Sequence, residues 1–160
     1  MSDEESTLKV SKIKDGTVID HITPGKALAV LKLLGIEGSE GNVVSVVMNV
    51  ASKKMGKKDV IKIENRELTK EEVSKISLIS PRATINIIRG FKVVKKTKVE
   101  IPDYIEGVIK CANPVCITNS KEPLIPKFRV ISKNPVVLRC LYCKRYTTEE
   151  DILKQFEVLK

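Results

Sequence analysis

Apolar and polar positions along the first hundred residues fall into short runs of two periods, and the switches between them predict the elements. Residues 8–13 and 18–22 are β-type runs separated by the turn signal Lys14-Asp15-Gly16, so they read as one interrupted strand or two. Thr23-Pro24-Gly25 supplies an N-cap and a proline at the first helical position. Ala27, Leu28, Leu31 and Leu34 then recur at helical spacing until Gly35, which predicts the first helix. A Gly/Ser/Glu-rich loop over 37–42 leads to a strand at 43–50. A basic loop over 52–59 separates that strand from the alternating Val60-Ile61-Lys62-Ile63-Glu64. Thr69 and Glu72 form a capping-box pair that opens a second helix, with Val73, Ile76 and Ile79 on one face, ending at Ser80-Pro81. Two further strands, 83–88 and 91–99, join around Gly90.

The order β-α-β-β-α-β plus a terminal strand predicts an α+β chain whose N-terminal domain is a ferredoxin-like split βαβ, with two helices on one sheet face and the other face open. On strand 60–64, Ile61 and Ile63 would face the helices, leaving Val60, Lys62 and Glu64 on the open side. Ile101-Pro102-Asp103-Tyr104 reads as a linker, which divides the chain into residues 1–103 and a small β domain, 104–160. In the second part strands are expected near 108–109, 128–131 and 136–139, followed by a helical or frayed tail over 148–160.

Composition narrows the picture. Hydrophobic residues make up 42% of the 160 residues but aromatics only 4%, so aliphatic, often β-branched side chains must fill the core. The polar start, residues 1–6, lacks the pattern of a secretory signal, and the longest apolar run, 43–51, is too short to cross a bilayer. A soluble, cytoplasmic protein is expected. Net charge is +9, shared by both halves, which suits an anionic partner but equally describes a solvated lysine-rich surface.

The chain has four cysteines, Cys111, Cys116, Cys140 and Cys143, spaced as two close pairs. In a reducing compartment such pairs read as metal ligands rather than disulfides, and four thiolates suit tetrahedral Zn2+, with iron the lesser alternative. A saturated four-thiolate shell leaves no position for a reactive water, so the ion would be structural. It would also staple a segment of about fifty residues that has few large apolar side chains.

Catalytic signatures are missing from the sequence. His21 is the only histidine, and strand alternation would send Asp20 to the opposite sheet face. His21 therefore reads either as a satisfied polar residue or as a ligand contact. Gly25-Lys26 resembles a phosphate-loop fragment, but Asp20 replaces the first glycine and Ala27 the hydroxyl residue. What remains is a set of lysines, Lys57, Lys58, Lys62, Lys95 and Lys96, suited to a polyanion such as a nucleoside triphosphate or to nothing specific.

Gly16-Thr17-Val18-Ile19-Asp20-His21-Ile22, Met55-Gly56-Lys57-Lys58-Asp59-Val60-Ile61-Lys62-Ile63-Glu64-Asn65, Ala83-Thr84-Ile85-Asn86, Val93-Val94 and the cysteine spacing together resemble the regulatory chain of aspartate carbamoyltransferase. The resemblance spans nearly the whole chain. It implies a non-catalytic subunit of pyrimidine biosynthesis, with an N-terminal allosteric domain binding CTP or ATP and a zinc domain docking on the catalytic chain. It also implies a homodimer formed through the N-terminal domain. Carried over by position, the base and ribose would be met by Val10, Ser11, Lys12, Ile13, Asp20, Val60, Asn86, Ile88, Phe91 and Val93. Lys62, Lys96 and His21 would address ribose or phosphates, and Lys58 a phosphate or a second nucleotide such as UTP. Phe91, lacking a tyrosine hydroxyl, and Arg89-Gly90 before it depart from the family pattern. The rival reading is a zinc-ribbon nucleic-acid-binding protein, weakened by three Phe and three Tyr as the only aromatics available for base stacking. A small nucleotide hydrolase is a third, and nothing in the sequence positions its nucleophile.

Overall fold

The first sheet in the computed structural model, which describes residues 12–122 and 124–156, has five antiparallel strands in the order β2-β3-β1-β4-β5. The strands are β1 (Gly16–Ile22), β2 (Val44–Ser52), β3 (Gly56–Glu64), β4 (Thr84–Arg89) and β5 (Lys92–Lys98), with helices α1 (Ala27–Leu33) and α2 (Lys70–Ile79) between them. This is the predicted α+β split βαβ arrangement with an added edge strand. All of these elements belong to the first of two compact units, Met1–Val99 and Glu100–Lys160. The core joins Ile19, Ile22, Ile61, Ile63 and Ile85 of the sheet to Ala27 and Val30 of α1 and Ile76, Leu78 and Ile79 of α2, all buried. It is aliphatic throughout, as the composition required.

Helix α2 starts as expected, with Thr69 and Glu72 capping each other. Helix α1 does not. It begins at Ala27, its N-cap residue Lys26 gives no side-chain cap, and Pro24 lies in a turn whose Gly25 has φ +86°. The missing cap comes from Asp59, distant in sequence, whose carboxylate accepts from the Gly25 and Ala27 amides at 2.9 and 3.1 Å. Its other oxygen accepts from the Asn49 amide at 2.7 Å, where a bulge interrupts the β2–β3 register. Fully buried Asp59 therefore fastens β3 to both the β1–α1 turn and β2, a low-dielectric setting in which a fully hydrogen-bonded carboxylate is tolerated.

Most of the segment expected as a loop at 52–59 is strand: β2 and β3 turn within residues 53–55, and β3 begins at Gly56. Alternation was hidden there because Lys57 is exposed and Lys58 half-buried at the solvent end of the hairpin. The β4–β5 hairpin turns at Gly90 and Phe91, both with positive φ (+57° and +66°), the pattern of a two-residue turn matched to strand twist. The expected strand at 8–13 falls mainly outside the described residues. Among its described residues, Ile13 is buried and Lys12 exposed, neither in a strand.

The second unit is built on a four-stranded sheet, order β6-β7-β8-β9, of β6 (Tyr104–Glu106), β7 (Lys127–Lys133), β8 (Val136–Cys140) and β9 (Tyr146–Thr148). Ile105, Ile109, Phe128, Val136 and Leu138 are buried, with Ile152 of helix α3 (Glu149–Gln155). The strand expected at 108–109 lies instead at Tyr104–Glu106, starting at the last residue of the segment read as linker, while Ile109 is buried in irregular backbone. Helix α3 is opened by a second capping box, Thr148 with Asp151. Among the described residues no helix is long and apolar enough to cross a membrane.

Candidate functional site

In the second unit the four sulfurs lie within 4.8 Å of one another. Cys111 and Cys116 come from the loop before the 3-10 turn Ile117–Asn119, Cys140 from the end of β8, and Cys143 from the turn into β9. Cys111 Sγ is 3.6 Å from Cys143 Sγ, and Cys116 Sγ is 3.7 Å from Cys140 Sγ. A tetrahedron with zinc–sulfur bonds of about 2.3 Å has edges of about 3.8 Å, whereas a disulfide needs about 2.05 Å. The spacing fits a shared cation and excludes a bond.

Each knuckle is locked by local hydrogen bonds. Asn119 Nδ2 donates to the Cys111 and Asn113 carbonyls at 3.0 and 2.7 Å, and in the second knuckle the Cys140 amide donates to Arg145 O while the Lys144 amide donates to Cys140 O. Backbone amides also reach the sulfurs: Asn113 to Cys111, Tyr142 and Cys143 to Cys140, and Arg145 to Cys143. Thr118 Oγ1 lies 3.2 Å from Cys116 Sγ. Burial pushes the Cys111 thiol up to about 12 against the Asn113 amide, with neighbouring sulfurs adding to the rise. Burial likewise raises Cys140. At Cys143 burial acts upward too, but the Arg145 amide, Asn113 and the adjacent thiols outweigh it and draw the group down to about 6. Thiols this crowded split between protonated and ionised forms, and a divalent cation is what lets all four ionise together. Cys111, Cys116, Cys140 and Cys143 thus form a structural zinc site.

The open face of the first sheet carries the other constellation. Cross-strand register aligns Lys62 of β3, Val18 of β1, Asn86 of β4 and Lys96 of β5 in one row. On one side of it, Gly16, Ile88 and Val93 form an apolar row that ends in Glu64 on β3, next to exposed Phe91. Gly16 has no room for a side chain: a Cβ there would stand 2.1 Å from Ile63 O. On the other side lie Asp20, Thr84 and Lys98, with Val60 next to Lys62 half-buried. Rows two residues apart are separated by about 7 Å, so the face grades from apolar to cationic over about 14 Å.

At the cationic end strand alternation fails. His21 has φ +55° at a bulge in β1, and its Nδ1 lies 2.8 Å from Thr84 Oγ1, on the Asp20 side of the sheet. The expectation that Asp20 and His21 face opposite ways is therefore corrected: the inserted backbone step brings both to the open face. Asp20 Oδ1 accepts from the His21 amide at 2.6 Å and pairs with Lys58 Nζ at 2.9 Å. Burial would raise the Asp20 pKa, but Lys58 and the His21 amide outweigh it and hold the carboxyl below its usual value. Burial lowers His21, with Lys58, Lys54 and Lys96 reinforcing it against Asp20. Lys62 is lowered by burial, with Asp20 opposing.

Of the sequence-derived contacts, Asp20, His21, Lys58, Val60, Lys62, Asn86, Ile88, Val93 and Lys96 converge on this face. Phe91 caps its apolar end, and its amide donates to Lys14 O at 2.9 Å. Lys95 pairs with Ile87 one residue out of phase, on the helix side. Val10 and Ser11 lie outside the described residues. Sequence reasoning missed Lys54, Arg82 and Lys98, which surround His21. Only three-dimensional register brings these separate surface cations together.

Comparison with known proteins covers nearly the whole chain. Residues 8–100 match the family model "Aspartate carbamoyltransferase regulatory chain, allosteric domain", and residues 103–153 match that family's metal binding domain. The chain is 59% identical over 145 residues to the aspartate carbamoyltransferase regulatory chain of Methanothrix thermoacetophila, covering 91% of this chain and 94% of that one. Identity is 55% over 151 residues to that of Hyperthermus butylicus (94% of each chain), and 58% over 147 residues to that of Pyrococcus furiosus (91% and 96%).

Proposed function

The chain belongs to the family of aspartate carbamoyltransferase regulatory chains, and from that premise we propose that its open sheet face binds CTP or ATP and transmits binding to a catalytic chain. The carrying observation is the grading of the face. The apolar row of Ile88 and Val93 beside Phe91 suits a base, Asn86 and Asp20 suit ribose hydroxyls, and Lys62, Lys96, Lys58 and His21 suit phosphates. In this reading residues 1–103 are the allosteric domain, pairing with a second copy through the N-terminal sheet, and residues 104–160 dock on the catalytic chain. Lys58 is the contact that would reach a second nucleotide such as UTP.

The subunit does no chemistry of its own in this reading. It binds, and the four cysteines hold the surface that grips the partner, zinc supplying a rigid cross-link when bound. Allosteric coupling of this kind amounts to about 1–3 kcal/mol and is reciprocal, so substrate analogues on the catalytic chain must shift nucleotide affinity by the same factor.

Calorimetry on the zinc-loaded full chain at physiological salt tests the reading. Saturable one-site binding of CTP or ATP is expected, with oligonucleotides no better than free nucleotide. Lys62→Ala and Asn86→Ala should each weaken binding about 10- to 100-fold, the loss of one hydrogen bond to a charged or buried polar group. Nucleotide binding that is missing, or indifferent to both substitutions, would remove the open face as the site. Co-purification with a catalytic trimer, followed by assay of carbamoyl transfer with and without CTP, tests transmission separately.

A further inference from the structure

Two register shifts in the first sheet fall opposite overlapping stretches of β3, residues 59–61 and 58–60. Between the pairs Ile19–Ile61 and Ile22–Asp59, β1 has one residue more than β3. Between Val47–Val60 and Val50–Lys58, β2 has one residue more as well. Asp59 lies in both stretches, and it is the buried carboxylate that accepts from the Gly25, Ala27 and Asn49 amides.

That carboxylate makes both bulges necessary. The Asp59 backbone pairs with Ile22 while its side chain holds Gly25 and Ala27, so the chain from 22 to 27 is fastened at both ends to one residue. Ile19 and Ile22 are both fully buried, which obliges three steps of β1 to span two of β3. The surplus is expelled at His21, φ +55°, which lands on the open face against Thr84. On the other edge the surplus falls at Asn49, φ +59°, whose amide donates to Asp59 at 2.7 Å and is not left an orphaned donor. Lys58, one residue before Asp59, meets Asp20 on the open face at 2.9 Å.

We infer that Asp59 is a positioning residue for the nucleotide face: without touching a ligand, it fixes the bulge that turns His21 to the open side and the strand segment that carries Lys58. Its effect on binding rests on the nucleotide reading above. Its hold on His21 does not.

The full chain with zinc is compared as wild type, as Asp59→Asn and, to control for lost stability, as Ile76→Val, which thins the buried face of α2. Asp59→Glu, which keeps the charge but displaces the carboxylate, stands in if Asp59→Asn does not fold, with the same losses expected. Thermal unfolding verifies each chain. In Asp59→Asn the nuclear Overhauser contact between the His21 ring and the Thr84 methyl should disappear. CTP affinity should fall about tenfold or more, the worth of a charge-assisted contact, while cytidine binding stays within about twofold. Removing a negative charge near phosphates would by itself tighten CTP, so the expected weakening reports geometry. Wild type gives a reading free of variants: CTP should slow hydrogen exchange at the Gly25, Ala27 and Asn49 amides, and unchanged exchange there overturns the role of Asp59 in binding. A retained His21–Thr84 contact overturns the assignment. So does CTP affinity within about twofold of wild type, an equal fall for CTP and cytidine, or the same changes in Ile76→Val. If wild type binds neither CTP nor cytidine, the nucleotide reading fails, and the His21–Thr84 contact alone decides whether Asp59 positions His21.

Discussion

Stripping the metal from the reduced full chain should unfold the second unit and leave the first intact. The sulfurs stand at 3.6 and 3.7 Å, within about 0.2 Å of the edge of a zinc tetrathiolate, so the folded unit is preorganised for the ion. Structural zinc sites contribute about 10–16 kcal/mol at neutral pH, comparable to the whole stability of a typical domain, about 5–15 kcal/mol. Two knuckles held by Asn119, Thr147 and backbone bonds cannot replace that. Hydrogen exchange separates the units directly. The amides of Cys140 and Leu141, bonded to Arg145 O and Lys127 O at 2.9 Å, should lose at least about a thousandfold of protection on chelation, corresponding to about 4 kcal/mol of opening free energy. Amides of β1 and β3 in the first unit should keep theirs. Cys143→Ser, which deletes one ligand, should behave like chelation. A metal-free, reduced chain in which Cys140 and Leu141 remain protected would refute the claim that the ion holds this sheet together.

Two other perturbations report on the first unit. Asp59→Asn keeps the size of the side chain but leaves one oxygen for three amide donors, Gly25, Ala27 and Asn49. Stranded buried donors cost about 1–3 kcal/mol each, so a loss of about 3–5 kcal/mol is expected in denaturant unfolding, and a loss under about 1 kcal/mol would contradict the assigned bonds. His21, the only histidine, gives a single resonance pair for NMR titration. Burial first, then Lys58, Lys54 and Lys96, depress its pKa below 6.5 in spite of Asp20. The unfolded chain therefore binds that proton more tightly. The His21 contribution disfavours folding below its lowered pKa, and the penalty disappears as pH rises through that value toward 6.5. Lys54→Gln should move the titration upward, and a wild-type midpoint at or above 6.5 would contradict the placement of the lysines.

The sequence carried the periodic elements well because their information is local. Thr69 and Glu72 cap α2 as their spacing says, and the cysteine pairs close on one point because each knuckle is too short to do otherwise. Asp59 was invisible for the opposite reason: it follows two lysines and reads as loop, while its partners lie 10 to 34 residues away. Strands β6 and β9 have three residues each, too few to show a period. Along the open face, Lys62 and its neighbours were legible by alternation, but the bulge at His21 reversed the phase of one residue, and a backbone step of that kind leaves no composition signal.

The two rims of the first sheet differ in a way that limits what can be added to it. Strand β5 carries Lys92, Lys95, Lys96 and Lys98 within seven residues, so an approaching strand of the same kind meets a fence of like charge. Strand β2, Val-Ser-Val-Val-Met-Asn-Val-Ala-Ser, has no charged residue at all. Strand addition across a molecular boundary is thus expected at β2 rather than at the lysine rim, where like charge would oppose it.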